Sequence, residues 1–190
     1  NLLRSALRTT ANSVVITDAA GKICWLNSAF STLTGYSEAE ALGENPRILR
    51  SSLQDATFYQ HLWSTITSGQ AWHGELINKR KDGSLYHEEM TITPIWDADA
   101  AITHFVAVKQ DITARKEAEL ALETYRMFFH NARDKMFLLD TDGTIIAANQ
   151  AVELTYGYTS EELHGLSIRE LRAPETLGDW PEQLETARTA

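Results

Sequence analysis

An internal repeat constrains the fold of this 190-residue chain more than any other feature of its sequence. The segment 16–23 aligns with the segment 138–145, and the match continues without a gap at an offset of 122 residues. Twelve aligned positions are identical: Asp18/Asp140, Gly21/Gly143, Ile23/Ile145, Asn27/Asn149, Ala29/Ala151, Gly35/Gly157, Tyr36/Tyr158, Glu40/Glu162, Gly43/Gly165, Arg47/Arg169, Leu49/Leu171 and Arg50/Arg172. Because the period is long and recurs once, the repeat predicts two globular domains of one type rather than a solenoid.

Each copy begins with two short apolar strands around a turn. Asn27 then predicts a helix N-cap, and Gly35 is a natural residue to end that helix. Ser37 and Glu40 predict a capping box for the next short helix. These signals give each copy the same series of local structures.

The rest of the first copy predicts a longer helix and an antiparallel meander. The helix covers about 55–67, and the strands cover about 72–80, 85–96 and 103–109. Two strands, several helices and then a meander is an α+β order. The second copy stops before its own meander, so we expect it to be incomplete as given.

Two polar residues lie on the apolar face of the predicted meander. Asn78 shares a strand face with Trp72 and Leu76, and Glu88 shares one with Tyr86. A buried amide and a buried carboxyl need partners. Their placement predicts a polar ligand in an apolar pocket.

The segment between the copies predicts a charged linker helix. Ala118, Leu122, Tyr125 and Phe129 recur at a heptad-like spacing, which is compatible with a homodimer formed by two such helices. The chain then divides into an N-terminal helix at 1–10, a first domain at 11–113, the linker at 114–130 and a second domain at 131–190.

Composition argues against several classes of function. The net charge of −9 argues against nucleic acid as the main partner. No apolar run approaches the ~20 residues of a membrane span, so no membrane is expected for this fragment. The only cysteine, Cys24, excludes an intrachain disulfide and favours a cytoplasmic location, and its apolar strand predicts a buried core thiol. Neither a zinc-ligand cluster nor a catalytic nucleophile–base pair is evident.

Several motifs resemble those of the PAS family. They are Asp18-x-x-Gly21-x-Ile23, Asn27-x-Ala29-Phe30, Thr34-Gly35-Tyr36-Ser37, Leu42-Gly43, Arg80-Lys81-Asp82-Gly83-Ser84 and Asp111-Ile112-Thr113. The resemblance covers about 11–113 and again 125–190. It implies a five-stranded antiparallel sheet with helices that form a pocket on one side, in a sensor that biases an attached output domain, often a histidine kinase.

The first copy is similar, more narrowly, to the FAD-binding PAS domains of bacterial redox sensors. These sensors control nitrogen fixation, aerotaxis and methane monooxygenase expression, and the tandem PAS sensor kinase of the last system is the most similar. The resemblance rests on Asn45-Pro46-Arg47-Ile48-Leu49, Phe58-Tyr59-x-x-Leu62-Trp63 and Gly69-x-x-Trp72-x-Gly74-x-x-x-Asn78-x-Arg80-Lys81. It implies FAD as the cofactor.

The resemblance and the strand pattern together assign seven residues to the cofactor site: Trp63, Asn78, Trp72, Asn45, Arg47, Glu88 and Lys109. Trp63 would pack against the flavin ring, and Asn78 would bond its pyrimidine edge. For each residue a structural role is the alternative, such as a core tryptophan, a loop-stabilising arginine or a strand-end salt bridge for Glu88. Lys109 would lie near the N5/O4 edge or extend to solvent.

The family also contains blue-light sensors in which a cysteine of this loop forms a flavin adduct. Here that position is Pro46, which excludes the adduct and leaves redox chemistry. A haem-based gas sensor with His61 as axial ligand and a cofactor-free relay pair are the alternatives.

The fragment is expected to sense rather than catalyse, and to act on a histidine kinase and its response regulator. The second copy has Ser167-Ile168-Arg169 in place of Asn45-Pro46-Arg47, so we expect it to be empty or to bind something else.

Overall fold

The computed structural model describes residues 10–171. The chain forms two compact units, residues 1–118 and 119–190. The expected N-terminal helix at 1–10, apart from residue 10, and the end of the second copy lie outside the described residues.

The first unit contains a five-stranded antiparallel sheet with its helices between the second and third strands. The strands are β1 (Ser13–Asp18), β2 (Ile23–Leu26), β3 (Trp72–Lys79), β4 (Leu85–Trp96) and β5 (Ile102–Asp111), in the order β2-β1-β5-β4-β3. The helices are α1 (Ser28–Thr34), α2 (Glu38–Ala41), a 3₁₀ helix (Pro46–Leu49) and α3 (Ala56–Thr67). The predicted α+β fold is confirmed.

Side-chain caps set the helix boundaries where the sequence predicted them. Asn27 accepts from the Phe30 N–H at the start of α1, and Gly35 ends that helix at a positive φ of 77°. Ser37 and Glu40 form the reciprocal capping box of α2. These residues satisfy backbone groups that a helix end leaves unpaired.

The core lies on the helix-bearing face of the sheet. Alternation along the strands turns Phe105, Ala107 and Lys109 of β5 to that face. One cluster forms around α3 and the meander, and a second around β1, β2 and α1. Ala107 packs against both, so the middle of the sheet joins them.

The expectation that Cys24 is a core thiol is wrong. Cys24 is exposed, whereas its neighbour Ile23 is buried, because successive strand side chains point to opposite faces. Val108 of β5 is also exposed on the outer face of the sheet. An apolar strand sequence did not indicate which face each side chain occupies.

The segment after the sheet is a helix, α4 (Thr113–Asn131). Its first turn is held to β3, because Glu75 accepts from Arg115 at 3.1 Å and pairs with Lys116 at 2.7 Å. None of its residues is buried, and Leu122 and Tyr125 are both more than half exposed.

The second unit repeats the start of the first. It has β6 (Phe137–Leu139), β7 (Ile145–Ala148), α5 (Gln150–Tyr156), α6 (Ser160–Leu163) and a 3₁₀ helix (Ile168–Leu171). From β7 onward every boundary equals its counterpart plus 122 residues, which confirms the repeat. Within residues 10–171, no helix is long and apolar enough to cross a membrane.

Candidate ligand-binding cavity

A cavity of about 380 Å³ lies between the inner face of the sheet, α3 and the 3₁₀ helix of the first unit. Volumes of roughly 300–1,000 Å³ are typical of small-molecule sites. Its wall is mostly apolar, with contributions from Val15, Leu62, Ile66, Leu76, Met90, Ile92, Phe105 and Ala107. Its polar residues are concentrated at two places, a floor on the sheet and a mouth beside the 3₁₀ helix.

The floor is held by one buried carboxylate. Glu88 is fully buried, and its Oε1 accepts from Lys109 Nζ at 2.9 Å and from Asn78 Nδ2 at 3.3 Å. Its Oε2 accepts from the Tyr86 hydroxyl at 2.9 Å. Glu88 lies opposite Leu76 in β3, and therefore diagonally across from both Asn78 and Lys109. One carboxylate thus organises two side chains that line the cavity.

This arrangement fixes what the floor can offer a ligand. An ionised carboxylate only accepts hydrogen bonds, so the Asn78 amide must turn its nitrogen toward Glu88. The Asn78 Oδ1 then has no partner among the described residues. Lys109 donates one of its three N–H groups to Glu88 and is only 3% exposed. The floor therefore presents an acceptor beside a cationic donor.

A further set of contacts extends from the floor toward α4. Burial raises the pKa of Tyr86, and the Glu88 carboxylate raises it further, so Tyr86 is a neutral donor. The Arg80 guanidinium lies over the Tyr86 ring, 4.6 Å from its centroid, and bonds Asp111 Oδ2 at 2.8 Å. Asp111 in turn accepts from the Thr113 backbone N–H at 2.9 Å, at the first residue of α4.

The mouth is bordered by Trp63, Gly21 and Asn45. A Cβ atom on Gly21 would lie 2.9 Å from the Trp63 ring and 2.9 Å from the Asn45 amide nitrogen. Gly21 also has a φ of 80°, which residues other than glycine rarely adopt. The Trp63 ring therefore lies directly against the β1–β2 turn and is 38% exposed.

The lining of the cavity is cationic, although the chain carries a net charge of −9. Arg47, Arg50 and Lys109 line it, and no Asp or Glu does so among residues 10–171. Glu88, just behind the wall, balances Lys109 alone. The charge of the lining therefore favours a ligand that carries negative charge.

The fold agrees with comparisons to known proteins. The family model described as "PAS fold" matches residues 1–112, and one described as "PAS domain" matches residues 133–189. The chain belongs to the PAS family. The tandem of PAS domains indicated by the repeat is thereby confirmed.

Relatives of this PAS protein include a nitrogen fixation regulatory protein of Klebsiella oxytoca. It is 38% identical over 113 residues, which are 60% of this chain and 23% of that protein. An RNA-binding light-oxygen-voltage receptor has a TM-score of 0.60 at 28% identity, over 66% of this chain and 36% of the other. A light-oxygen-voltage domain studied with a flavin analogue has a TM-score of 0.55 at 27% identity, over 66% and 96%. The chain spans about a quarter of the length of the Klebsiella regulator.

Five of the seven predicted site residues lie in the wall of one cavity: Trp63, Asn78, Asn45, Arg47 and Lys109. The other two, Trp72 and Glu88, are not in the wall. Trp72 is 5% exposed and packs edge-to-face on Phe58, and its ring covers Gly74 so closely that a Cβ there would be 2.7 Å away. Trp72 therefore supports the PAS pocket from behind its wall. Direct contact of each of the seven residues with a cofactor remains a prediction.

His61, the candidate haem ligand, is exposed on α3 and is not among the residues of the cavity wall. The described residues also contain no group of three or more His, Cys, Asp or Glu side chains that could hold a metal ion. The position of His61 gives the haem alternative no support.

Three polar wall residues of the PAS pocket were not assigned to the site from the sequence: Thr17, Arg50 and Tyr59. Tyr59 precedes Trp63 by four residues in α3, so both lie on one side of the helix, and this spacing was a usable signal. Arg50 follows the 3₁₀ helix in a connecting segment, where no periodicity indicates the direction of a side chain.

Proposed function

We propose that the first PAS domain binds FAD and serves as the redox-sensing input of a signalling protein. The observation that carries this proposal is the cationic cavity whose floor combines Asn78, Lys109 and the buried Glu88. The relative from Klebsiella oxytoca is a nitrogen fixation regulatory protein, and one structural neighbour is a light-oxygen-voltage domain studied with a flavin analogue. These similarities support a flavin over other ligands.

The residues present are compatible with a flavin. The ring system of a flavin has one edge that alternates acceptors with an N–H donor, and Asn78 Oδ1 beside Lys109 Nζ is complementary to such an edge. The apolar wall suits the ring faces, and Trp63 with Gly21 would enclose them at the mouth. Arg47 and Asn45 would hold the phosphate-bearing part outside the apolar region. FAD rather than FMN rests on the family resemblance of the 45–49 loop.

The cofactor would supply reversible gain and loss of electrons at its ring. This chain's own residues would hold and report that state: Asn78 and Lys109 contact the ligand, and Glu88 holds both. A change in their hydrogen bonds would reach Tyr86, then Arg80 and Asp111, and finally Thr113 at the start of α4. Two arrangements of α4 would then differ in population.

We assign to α4 the connection to an output domain, for which we propose a histidine kinase acting on a response regulator. The exposed apolar residues of α4, among them Leu122 and Tyr125, support a homodimer through this helix. A cytoplasmic location belongs to the same proposal. Asn78→Ala should uncouple the ligand from this route, and normal signalling by that variant would contradict it.

The direct test is the absorption spectrum of the 190-residue chain purified from flavin-replete cells, followed by chromatography of the ligand that heat releases. The proposal predicts flavin bands and released FAD. Released FMN would retain a flavin site but reject FAD. A Soret band would favour haem, and a colourless protein would favour a cofactor-free relay module.

A further inference from the structure

Tyr59 and Arg50 form a stacked pair in the cavity wall, and the Tyr59 hydroxyl meets no hydrogen-bond geometry with any described residue. The Tyr59 hydroxyl is buried and makes no hydrogen bond there. Arg50 forms no ion pair there either, and its guanidinium lies over the Tyr59 ring, 4.3 Å from the centroid. Buried polar groups are nearly always paired, so an unpaired one that lines a cavity marks a place where a ligand supplies the partner.

Backbone pairing fixes Arg50 at the Asn78 end of the cavity. Arg50 forms an isolated antiparallel bridge with Asn78 along the free edge of β3. Ser51 next to it donates to the Ile77 carbonyl, and the Gln54 amide, oriented to satisfy both groups, bonds the Ile77 N–H and C=O at 2.7 and 2.9 Å. The connecting segment therefore acts as an extra edge strand that positions Arg50.

Tyr59 lines the same cavity as Asn78 and Lys109 of the floor. Burial raises the pKa of Tyr59, the adjacent Arg50 guanidinium opposes that rise, and the Glu88 carboxylate adds to it. Tyr59 therefore stays a neutral O–H donor, and no carboxylate among residues 10–171 pairs with the Arg50 guanidinium. Stacking on the ring limits the positions that the guanidinium can occupy.

We propose that Arg50 and Tyr59 bind one electronegative oxygen of the ligand, and that Arg50 selects the ligand form that carries negative charge there. The inference rests on the proposed flavin site and adds two residues that determine its specificity. Because the pair adjoins Asn78, the carbonyl-bearing edge of the ring is the favoured partner rather than a phosphate. Positive charge at that edge stabilises the reduced, more negative form of a flavin.

The test compares the 190-residue chain with Arg50→Gln, Tyr59→Phe and Arg50→Lys, each reconstituted with riboflavin, FMN and FAD. Lys79→Gln is the matched control, because it removes one positive charge next to Asn78 but on the exposed, opposite face of β3. The two readouts are the dissociation constant of the oxidised flavin, from fluorescence quenching, and the midpoint potential, from a dye-coupled titration.

Arg50→Gln is expected to weaken binding of the reduced flavin about tenfold relative to the oxidised form, which lowers the midpoint potential by about 30 mV for a two-electron couple. Tyr59→Phe should act in the same direction by a smaller amount, with all three flavins alike. Arg50→Lys keeps the charge and should retain most of the potential. Lys79→Gln should leave both readouts unchanged.

An Arg50→Gln effect confined to the affinities of FMN and FAD, with riboflavin and the midpoint potential unchanged, would overturn the ring-edge assignment and indicate a phosphate site. Unchanged affinity and potential in both Arg50→Gln and Tyr59→Phe would overturn the inference as a whole. If the unaltered chain bound none of the three flavins, the proposed function itself would fail, and the two failures are therefore distinguishable.

Discussion

The two PAS copies share many of the residues that build the scaffold and differ at some of the residues that line the cavity. Asn27 and Asn149 make equivalent bonds at 3.0 Å: Asn27 accepts the backbone N–H of Val14 in β1, and Asn149 accepts that of Met136, which immediately precedes β6. Asp18 and its counterpart Asp140 likewise each accept two backbone N–H groups of the turn that follows. The two copies thus share the same side-chain hydrogen bonds at this helix cap and this turn.

Two wall positions of the first copy are occupied by larger apolar residues in the second. Val15 and Thr17 line the first cavity, and their counterparts are Phe137 and Leu139. Both larger side chains pack against the core cluster of the second unit. These two positions therefore carry larger side chains in the second copy, so the shared scaffold does not by itself create a binding site.

The polar floor of the first unit gives the largest expected effect. Glu88→Gln or Lys109→Met alone leaves a buried charge without its partner, and each should lower the free energy of unfolding of the first unit by roughly 3–5 kcal/mol. The double variant should lose much less than the sum of the two. Urea denaturation followed by tryptophan fluorescence measures this, since four of the five tryptophans lie in residues 1–118.

The exposed pair of Lys116 and Glu75, 2.7 Å apart, is the control for that cycle. Its side chains are hydrated, so its coupling should be far smaller. Additive losses for Glu88 and Lys109 would show that the floor is not a coupled pair.

Replacement of two wall residues of the first copy by their counterparts from the second should remove ligand binding. Val15→Phe with Thr17→Leu gives the first cavity the side chains of the second copy, and the added volume should weaken flavin binding at least about 100-fold, or about 2.8 kcal/mol at 1.4 kcal/mol per factor of ten. Fluorescence titration measures the affinity. Val108→Phe, on the outer face of the sheet, should have no such effect, and a folded double variant that still bound flavin would contradict the account of the wall.

The two N-cap asparagines should have equal and separate effects. Asn27→Ala and Asn149→Ala each remove a helix cap and a bond to the preceding strand, which should destabilise the unit that contains it by about 2 kcal/mol. Tryptophan fluorescence should follow the first change, and hydrogen exchange of the amides of β6 and β7 the second. Asn131→Ala, at the exposed end of α4, should change neither, and a loss in the opposite unit would show that the copies are not independent.

The smallest effect concerns the capping boxes of α2 and α6. The Glu40 carboxylate pairs with Lys81, whereas no described cation pairs with its counterpart Glu162. The Lys81 ammonium, with help from Ser37, lowers the pKa of Glu40 from 4.5 to about 2. Hydrogen bonds from Thr159 alone lower the pKa of Glu162. The contribution of Glu40 to stability is therefore present above pH 4.5 and is lost as the pH falls toward 2.

An NMR titration of the two carboxyl groups should place Glu40 below Glu162. Lys81→Met should raise the pKa of Glu40 toward that of Glu162 and leave Glu162 unchanged. Equal pKa values in the unaltered protein would contradict the role given to Lys81.

Strand alternation alone was enough to predict that Asn78 and Glu88 face inward. It placed Asn78 and Glu88 on the inner face, where the structure has both, because a period of two leaves only two choices. It could not show that Glu88 lies behind the wall, since that depends on a diagonal bond to Lys109, 21 residues away in the chain. Nor could it show that the Trp72 ring turns over Gly74.

Local caps and turns were predicted correctly for a similar reason, because each depends on residues three or four apart. The contribution of Arg50 was missed because the segment that carries it pairs with the edge of β3 through contacts between distant residues. Side-chain packing of this kind becomes visible only in the folded chain.

The most direct test of the contrast between the two copies is the number of flavin molecules bound by each 190-residue chain. Saturation with FAD, removal of the excess and quantification after denaturation would measure it. The account predicts one flavin per chain, and none once Val15→Phe and Thr17→Leu are introduced. Two flavins per chain, or one that survives the exchange of the wall, would contradict the assignment of the site to the first PAS domain.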